Sequence, residues 1–391
     1  MVQCLNPQPG QTIYDPAMGT GGFLIGAYEF LLELEDSTAS RENIKGTIIG
    51  IEKNPSTYLL GLMNALLHDI PEPNLQNLNT LANHPELRKQ KHDIILANPP
   101  FGGKEQKSLA DTGGFETKTP ATEILFLQHF MDTLKATGKA AIVAPNGVLF
   151  GDGATLSVKK RWLEDFNVHT IVRLPNGVFS PYTDIPTNLI FFVRGAPTTS
   201  IWYYELPVPE GYKKFTKTKP LRKEHLEPLE SWWLNKTANA HAWEYHFQTA
   251  LQQARKDADP HQQTALQAEA KIRTLETDIK ASEATLKTKT ITPKTRASTE
   301  TSLEDLRTQL SQTKELQRRE SEKATSLLNA PYNLDRNHPD RNTDLQHEAP
   351  EVLLENVYAR GERVLELIAA MRETLKNAPL EQPVNPVEQK V

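Results

Sequence analysis

The strongest constraint on the fold of this chain is a repeated exchange of hydrophobic period between residues 11 and 194. Short apolar runs, too brief for helices, alternate with longer segments whose apolar residues recur every three or four positions. The runs are QTIYD (11–15), GTIIGIE (46–52), a weaker LQNLNTL (75–81), DIILA (93–97), KAAIVAP (139–145), VHTIVRL (168–174) and TNLIFFVR (187–194). Helical period marks Phe23, Leu24, Ala27, Phe30, Leu31 and Leu34; Leu59, Leu60, Leu62, Met63, Leu66 and Leu67; Ile124, Leu125, Leu127, Phe130, Met131 and Leu134; and the stretch 156–166. Strands without polar alternation are buried on both faces, and the intervening helices are what cover them. The expected fold is therefore α/β: a Rossmann-like, mainly parallel sheet of seven strands within residues 1–205.

In open α/β sheets, ligands bind beyond the carboxyl ends of the strands, so the strand exits are the candidate binding edges. The first strand enters PAMGTGGF. Gly19, Gly21 and Gly22 let backbone approach a ligand closely, and the helix that follows directs free N–H groups at it. GTGG by itself has little specificity. Glu52 closes the second strand, where a nucleoside-binding unit places a carboxylate on ribose hydroxyls; a solvated strand end would read the same way. Asn79 and Thr80 would close the third strand. The fourth runs into Asn98-Pro99-Pro100-Phe101, where two prolines stop the ladder. An amide, a carbonyl fixed by proline and a stacking ring at that edge suit a planar amine, although a plain proline turn has the same sequence. Residues 102–119, glycine-rich, polar and aperiodic, read either as a mobile loop over the pocket or as ordinary disorder.

Composition bears on what surrounds this unit. Only 38% of the residues are apolar, which is low for one compact globule and points to a packed part diluted by a polar, helical part. Residues 206–250 form a linker containing a basic segment, Tyr212 to Lys223, with Lys213, Lys214, Lys217, Lys219, Arg222 and Lys223. This segment reads as a phosphate-contacting patch or as a solvated edge with alternating lysines. From 251 to 328, Ile272, Leu275, Ile279 and Leu286 fall at heptad-like spacing, and Leu303, Leu306 and Leu310 repeat the step beyond residues 288–293. Two helices hinged there would make an antiparallel hairpin arm, the alternative being a loosely ordered insertion. In the last part, 329–391, PYNLDRNHP (331–339) precedes an amphipathic helical pattern at 352–376, which suits a partner surface or packs back on its own domain. No run approaches the ~20 apolar residues of a membrane span. Cys4 is the single cysteine and no His/Cys spacing resembles a zinc site, so neither a membrane nor a metal is expected, and the setting reads as reducing and cytoplasmic. A net charge of -5 argues against a free-standing nucleic-acid binder; a chain of this charge that handles DNA or RNA would take much of its grip from a partner.

Taken together, DPAMGTGGF (15–23), Glu52 after a strand and NPPF (98–101) resemble the amino-methyltransferases that use S-adenosyl-L-methionine. ATEILFLQHFMDTLKATGKAAIVAPNGVLF (121–150), TIVRLPNGVFSPYTDIPTNLIFF (170–192) and YNLDRNHP (332–339) make the chain similar to the modification subunit of type I restriction-modification systems. The arm carries no specific part of the likeness. The resemblance implies a methyltransferase sheet and methyl transfer to the exocyclic amine of a flipped-out adenine in DNA, with glutamine side chains or RNA bases as alternative substrates for NPPF. It implies that Asn98 and the carbonyl of Pro99 accept the amine hydrogens, that Pro100 completes the turn and that Phe101 stacks on the base. On the cofactor side it places Asp15, Pro16, Ala17, Gly19, Thr20, Gly21, Gly22 and Phe23 around the methionine part, Glu52 on the ribose and Asn79 near the adenine ring. The implied partners are DNA, a specificity subunit and a restriction subunit, with two copies of the modification subunit per complex. Two features depart from the family pattern. Met18 stands where the family often has a smaller residue, which could crowd the cofactor, although it contributes only backbone to the turn. The family's helical amino-terminal domain and Phe-containing cofactor motif precede the glycine turn, whereas this chain begins almost at that turn. The expectation is either a truncated chain or fragment, with cofactor and DNA binding impaired although the catalytic loop is intact, or a missing part supplied by a separate chain; the alternative is a truncated, inactive subunit that only assembles with partners.

Overall fold

The apolar runs become strands wherever both of their faces find cover. A computed structural model describes residues 1–34, 44, 46–70, 73–82, 84–106, 113–288 and 291–340, and the unit Met1–His338 holds every element described below. The strands are β1 Ile13–Asp15, β2 Ile48–Glu52, β3 Asn74–Asn77, β4 His92–Ala97, β5 Leu134–Pro145, β6 Phe166–Arg173, β7 Thr187–Arg194, β8 Ile201–Glu205 and β9 Ala242–Tyr245. They form one sheet in the order β3-β2-β1-β4-β5-β7-β6-β8-β9. The pairings from β3 through β5 are parallel, β7 runs antiparallel between β5 and β6, β8 is parallel to β6, and β9 is antiparallel to β8.

The sheet thus has nine strands among the described residues rather than seven. The two additional ones, IWYYE and AWEY, are short and aromatic and lie at or beyond the shift to polar composition, where period alone gives no strand signal. One of them, β9, lies with the helix Glu227–Leu234 inside the stretch 206–250. The third strand is also shorter than its run. Asn77 turns its side-chain amide onto the Glu52 carbonyl at 2.7 Å, and this leaves Asn79 and Thr80 in the turn beyond β3.

The helices are α1 Val2–Leu5, α2 Gly22–Glu33, α3 Pro55–Leu67, α4 Pro85–Lys89, α5 Thr122–Thr133, α6 Asn146–Phe150, α7 Ala154–Asp165, α8 Glu227–Leu234, α9 Phe247–Lys287 and α10 Pro293–Asn329. Successive strand residues point to opposite faces, so the sheet builds two cores. Ile13, Ile48, Ile94 and Leu96 pack with α1, α2 and α8, while Tyr14, Ile51, Ile95 and Ala97 pack with α5 and α7. Helix α3 starts on Asn54, whose side chain accepts the N–H groups of Ser56 and Thr57, with Pro55 at the first helical position. Its apolar stripe does not face the core, however. Leu59, Leu60, Met63, Leu66 and Leu67 are all more than half exposed, and the helix lies on the sheet through Gly61 and Ala65.

Helices α9 and α10 form the antiparallel hairpin arm. Glu283 pairs with Arg307, Glu276 with Lys314 and His261 with Glu320, so partners on one helix ascend as those on the other descend. The buried seam is mostly small: Ala254, Ala258, Ala265 and Ala268 with Leu275 on one side, Leu303, Thr313, Glu320 and Ala324 on the other. After the arm the chain returns to the sheet. Leu334 is fully buried, its carbonyl accepts from Tyr203 Oη at 2.8 Å, and Asp335 pairs with Arg173 of β6 at 2.6 Å. The helical pattern at 352–376 lies outside the described residues, as do residues 107–112 of the loop that follows NPPF.

Candidate active site

Strands β1 and β4 are neighbours, and the chain leaves them in opposite directions, β1 toward β2 and β4 toward β5. Helices diverge at such a reversal and a crevice opens over the carboxyl ends of the two strands. A cavity of about 670 Å3 lies there, within the ~300–1,000 Å3 range of small-molecule sites. Of the residues expected to act, Pro16, Ala17, Gly19, Glu52, Asn79, Asn98 and Pro100 line it. The glycine turn and the NPPF turn, far apart in sequence, therefore face one space.

The glycine turn is held from below. Gly19 and Gly21 have φ of 57° and 81°, a left-handed backbone that favours glycine, and a Cβ on Gly19 would meet nothing within 4 Å. The turn is fixed by Met18 N–H to the Ile51 carbonyl at 3.0 Å and by Thr80 Oγ1 to the Pro16 carbonyl at 2.6 Å. Gly22 opens α2, and no side chain caps that helix. Thr20 is exposed and its carbonyl accepts from Asn64; Phe23 packs against the core that contains α2. Met18 does not crowd the cavity. Its side chain points down onto Gly50 and Gly61, where a Cβ would come within 2.5 Å of Met18 Sδ and 3.1 Å of its Cε.

Glu52 ties β2 to the turn, accepting from Gly19 N–H at 3.1 Å and from Asn54 N–H at 2.7 Å. A carboxylate has about four acceptor positions, which leaves two for a ligand. Asn79 accepts from Leu81 N–H through its Oδ1 at 3.1 Å, leaving its amide N–H groups as donors beside the cavity. Asp15 does not line the cavity. It sits beneath the turn, 1% exposed, with Oδ1 accepting from Ala17 N–H at 3.0 Å. Burial raises its pKa to about 8, opposed by the Ala17 hydrogen bond and reinforced by the nearby Glu52 carboxylate.

At the other wall, Asn98 and Pro100 are exposed to the cavity, whereas Pro99 is buried. Phe101 lies beside the cavity, its ring meeting that of Phe179 edge-on at a centroid distance of 6.1 Å. The base of the following loop is pinned. Glu105 N–H donates to the Pro120 carbonyl and Thr122 N–H to the Gly103 carbonyl. Sequence reading missed Lys53, Asn54, Lys104, Glu105 and Phe126, which also line the cavity. Lys53 and Glu105 form an ion pair of 3.0 Å across its rim. Asn54 caps the helix that follows it, and Glu105 stands in an aperiodic loop that offers no signal. Among the described residues there is no cluster of metal ligands and no helix long and apolar enough to cross a membrane.

A doubly wound α/β sheet with a cavity at its reversal point, walled by a glycine turn on one side and an Asn-Pro-Pro turn on the other, defines the class of nucleoside-cofactor binding folds. The chain belongs to the N-6 DNA methylase family, whose model matches residues 1–274. It is 42% identical over 237 residues to the methylase subunit of the type I restriction enzyme EcoEI of Escherichia coli, covering 60% of this chain and 48% of that protein. The solved M protein of the type I restriction enzyme EcoKI is 32% identical with a TM-score of 0.54, over 59% of this chain and 51% of that one. A chain solved in work on complex assembly and conformational transition of the type I R-M system is 29% identical with a TM-score of 0.63, over 96% of this chain and 64% of the other. The chain spans about half the length of the curated relatives it matches.

Proposed function

We propose that this chain is the modification subunit of a type I restriction-modification system and transfers a methyl group from S-adenosyl-L-methionine to the exocyclic amine of a flipped-out adenine in DNA. The observation that carries the proposal is the shared cavity: Pro16, Ala17 and Gly19 of the cofactor turn face the same space as Asn98 and Pro100 of the amine turn. The residues fit the cofactor. The open, glycine-lined turn admits its methionine part, the two remaining acceptor positions of Glu52 suit ribose hydroxyls, and the Asn79 amide suits a ring nitrogen. When bound, S-adenosyl-L-methionine supplies an electrophilic methyl on a sulfonium.

The adenine amine is a poor nucleophile because its lone pair is delocalised into the ring. Asn98 Oδ1 and the Pro99 carbonyl accept its two hydrogens and turn the lone pair out of the ring plane. These contacts strengthen as positive charge develops on the nitrogen, so they stabilise the transition state more than the ground state. The proton leaves after transfer, so no tuned base is needed beforehand. Phe101 stacks on the extruded base, and Pro100 fixes the turn that aims Asn98.

DNA is the substrate, a specificity subunit supplies sequence reading and a restriction subunit supplies cleavage, in a cytoplasmic complex with two copies of this chain. The acidic net charge of -5 supports leaving base readout to a partner. The helical pattern at 352–376 is proposed to meet the specificity subunit. The test is to supply the chain, alone and with a specificity subunit, with labelled cofactor together with DNA, RNA and protein substrates. Label recovered as N6-methyladenine in DNA is expected. Label on glutamine or on RNA would overturn the substrate assignment, and failure to bind cofactor at micromolar concentration in calorimetry would reduce the chain to an assembly subunit.

A further inference from the structure

The basic segment from Tyr212 to Lys223 is pinned to the amine side of the site. Phe215, at its centre, is fully buried and its backbone N–H donates to the Asn176 carbonyl at 3.1 Å. The contact is as close as backbone allows. Gly177, with φ of 81°, would place a Cβ 2.0 Å from the Phe215 oxygen. Lys214 pairs with Asp184 at 3.3 Å, and both contacts fall on the connection between β6 and β7, residues 174–186. The same connection carries Phe179, whose ring meets Phe101. Basic segment, β6–β7 connection and NPPF turn are thus one continuous ledge. At its tip Tyr182 is 93% exposed.

Lys213, Lys217, Lys219, Arg222 and Lys223 are exposed, and among the described residues no carboxylate lies within ion-pair distance of any of them. Lys219 instead rests over the Tyr212 ring at 4.7 Å. On a chain with a net charge of -5, five exposed cations that form no ion pair among the described residues stand out beside the site. A base that enters the cavity past Phe101 leaves its own backbone on this ledge, where lysines contact phosphates without reading sequence.

We propose that residues 213–223 form a phosphate-binding ledge that grips the duplex next to the extruded base. This rests on the DNA-methylation reading above. The test is anisotropy of a fluorescent duplex of about 30 base pairs titrated with the full chain between ~50 and ~200 mM salt, using the quadruple variant K213Q/K217Q/R222Q/K223Q, in which each lost contact should flatten the log–log salt slope by about 0.9. The expected result is a Kd at least ~10-fold weaker at the lowest salt and a slope reduced by two or more, with calorimetric cofactor affinity unchanged to show an intact fold. An affinity and slope equal to those of the parent would overturn the proposal, as would a parent that binds no duplex in a salt-dependent way. So would a variant that loses binding to polyglutamate or to anionic vesicles while keeping the duplex. If duplex binding collapses in the variant but the parent puts no methyl on DNA, the ledge stands and the activity reading falls. If the parent methylates DNA and the variant binds duplex undiminished, the activity reading stands and the ledge falls.

Discussion

Asp15 carries the most strained protonation equilibrium at the site. Its folded pKa of about 8 lies above the ordinary value of 3.8, so across that window the folded state holds a proton that the unfolded state has lost. Stability therefore falls as pH rises from about 4 to about 8, by up to ~1.4 kcal/mol per pH unit for one proton. Asp15→Asn removes this penalty. Thermal melts should show the variant's advantage over the parent growing by several degrees or more between pH 5 and pH 8. Equal melting temperatures at both pH values would show that Asp15 is not buried as described. The sequence made Asp15 visible as part of DPAMGTGGF but could not show that it lies beneath the turn. Glu52 and Asn98 were legible because each ends a clear apolar run. Lys53 and Glu105, whose ion pair crosses the rim, were not, because their juxtaposition depends on a loop with no periodic signal.

Helix α3 shows what hydrophobic period does and does not reveal. The bounds Pro55–Leu67 follow from the Asn54 cap, Pro55 and the apolar repeat, yet that repeat faces outward and the contact with the sheet is made by Gly61 and Ala65. A Cβ on Gly61 would stand 3.0 Å from the Gly19 carbonyl and 3.1 Å from Met18 Cε. Gly61→Ala gains ~1 kcal/mol of helix propensity, but overpacking of about 1–3 kcal/mol outweighs it. Because the displaced atom is the Gly19 carbonyl, cofactor affinity should fall as well. Leu66→Gln, on the exposed face, should stay within about 0.5 kcal/mol of the parent. Urea unfolding checks both, and a stabilised Gly61→Ala or a Leu66→Gln loss of several kcal/mol would contradict this packing. The same limit explains the sheet. Isoleucine-rich strands such as β2 and β4 were legible, whereas β8 and β9 become strands only because a neighbouring edge was left to cover.

At the scale of the molecule, most of the sheet and the glycine turn were readable from period and punctuation, whereas the arm read equally as a hairpin or as a loosely ordered insertion. What could not be read was that the chain beyond the arm rejoins the core. Leu334 is fully buried and Asp335 pairs with Arg173 of β6, so the arm is an excursion between β9 and a segment that seals the sheet. Leu334→Ala should accordingly destabilise the unit Met1–His338 by about 2–5 kcal/mol, measured as a shifted urea midpoint; an unshifted midpoint would mean that the segment is an attached tail. On the proposed function, Asn98 accepts a hydrogen bond from the amine being methylated, beside a cofactor pocket that the glycine turn builds independently. The most direct test of this role is labelled-methyl incorporation into DNA adenine by Asn98→Ala beside calorimetric titration with S-adenosyl-L-methionine. The expected rate is at least ~100-fold lower, with cofactor affinity unchanged. Incorporation at the parent rate, or a loss of cofactor binding that matches the loss of rate, would contradict it.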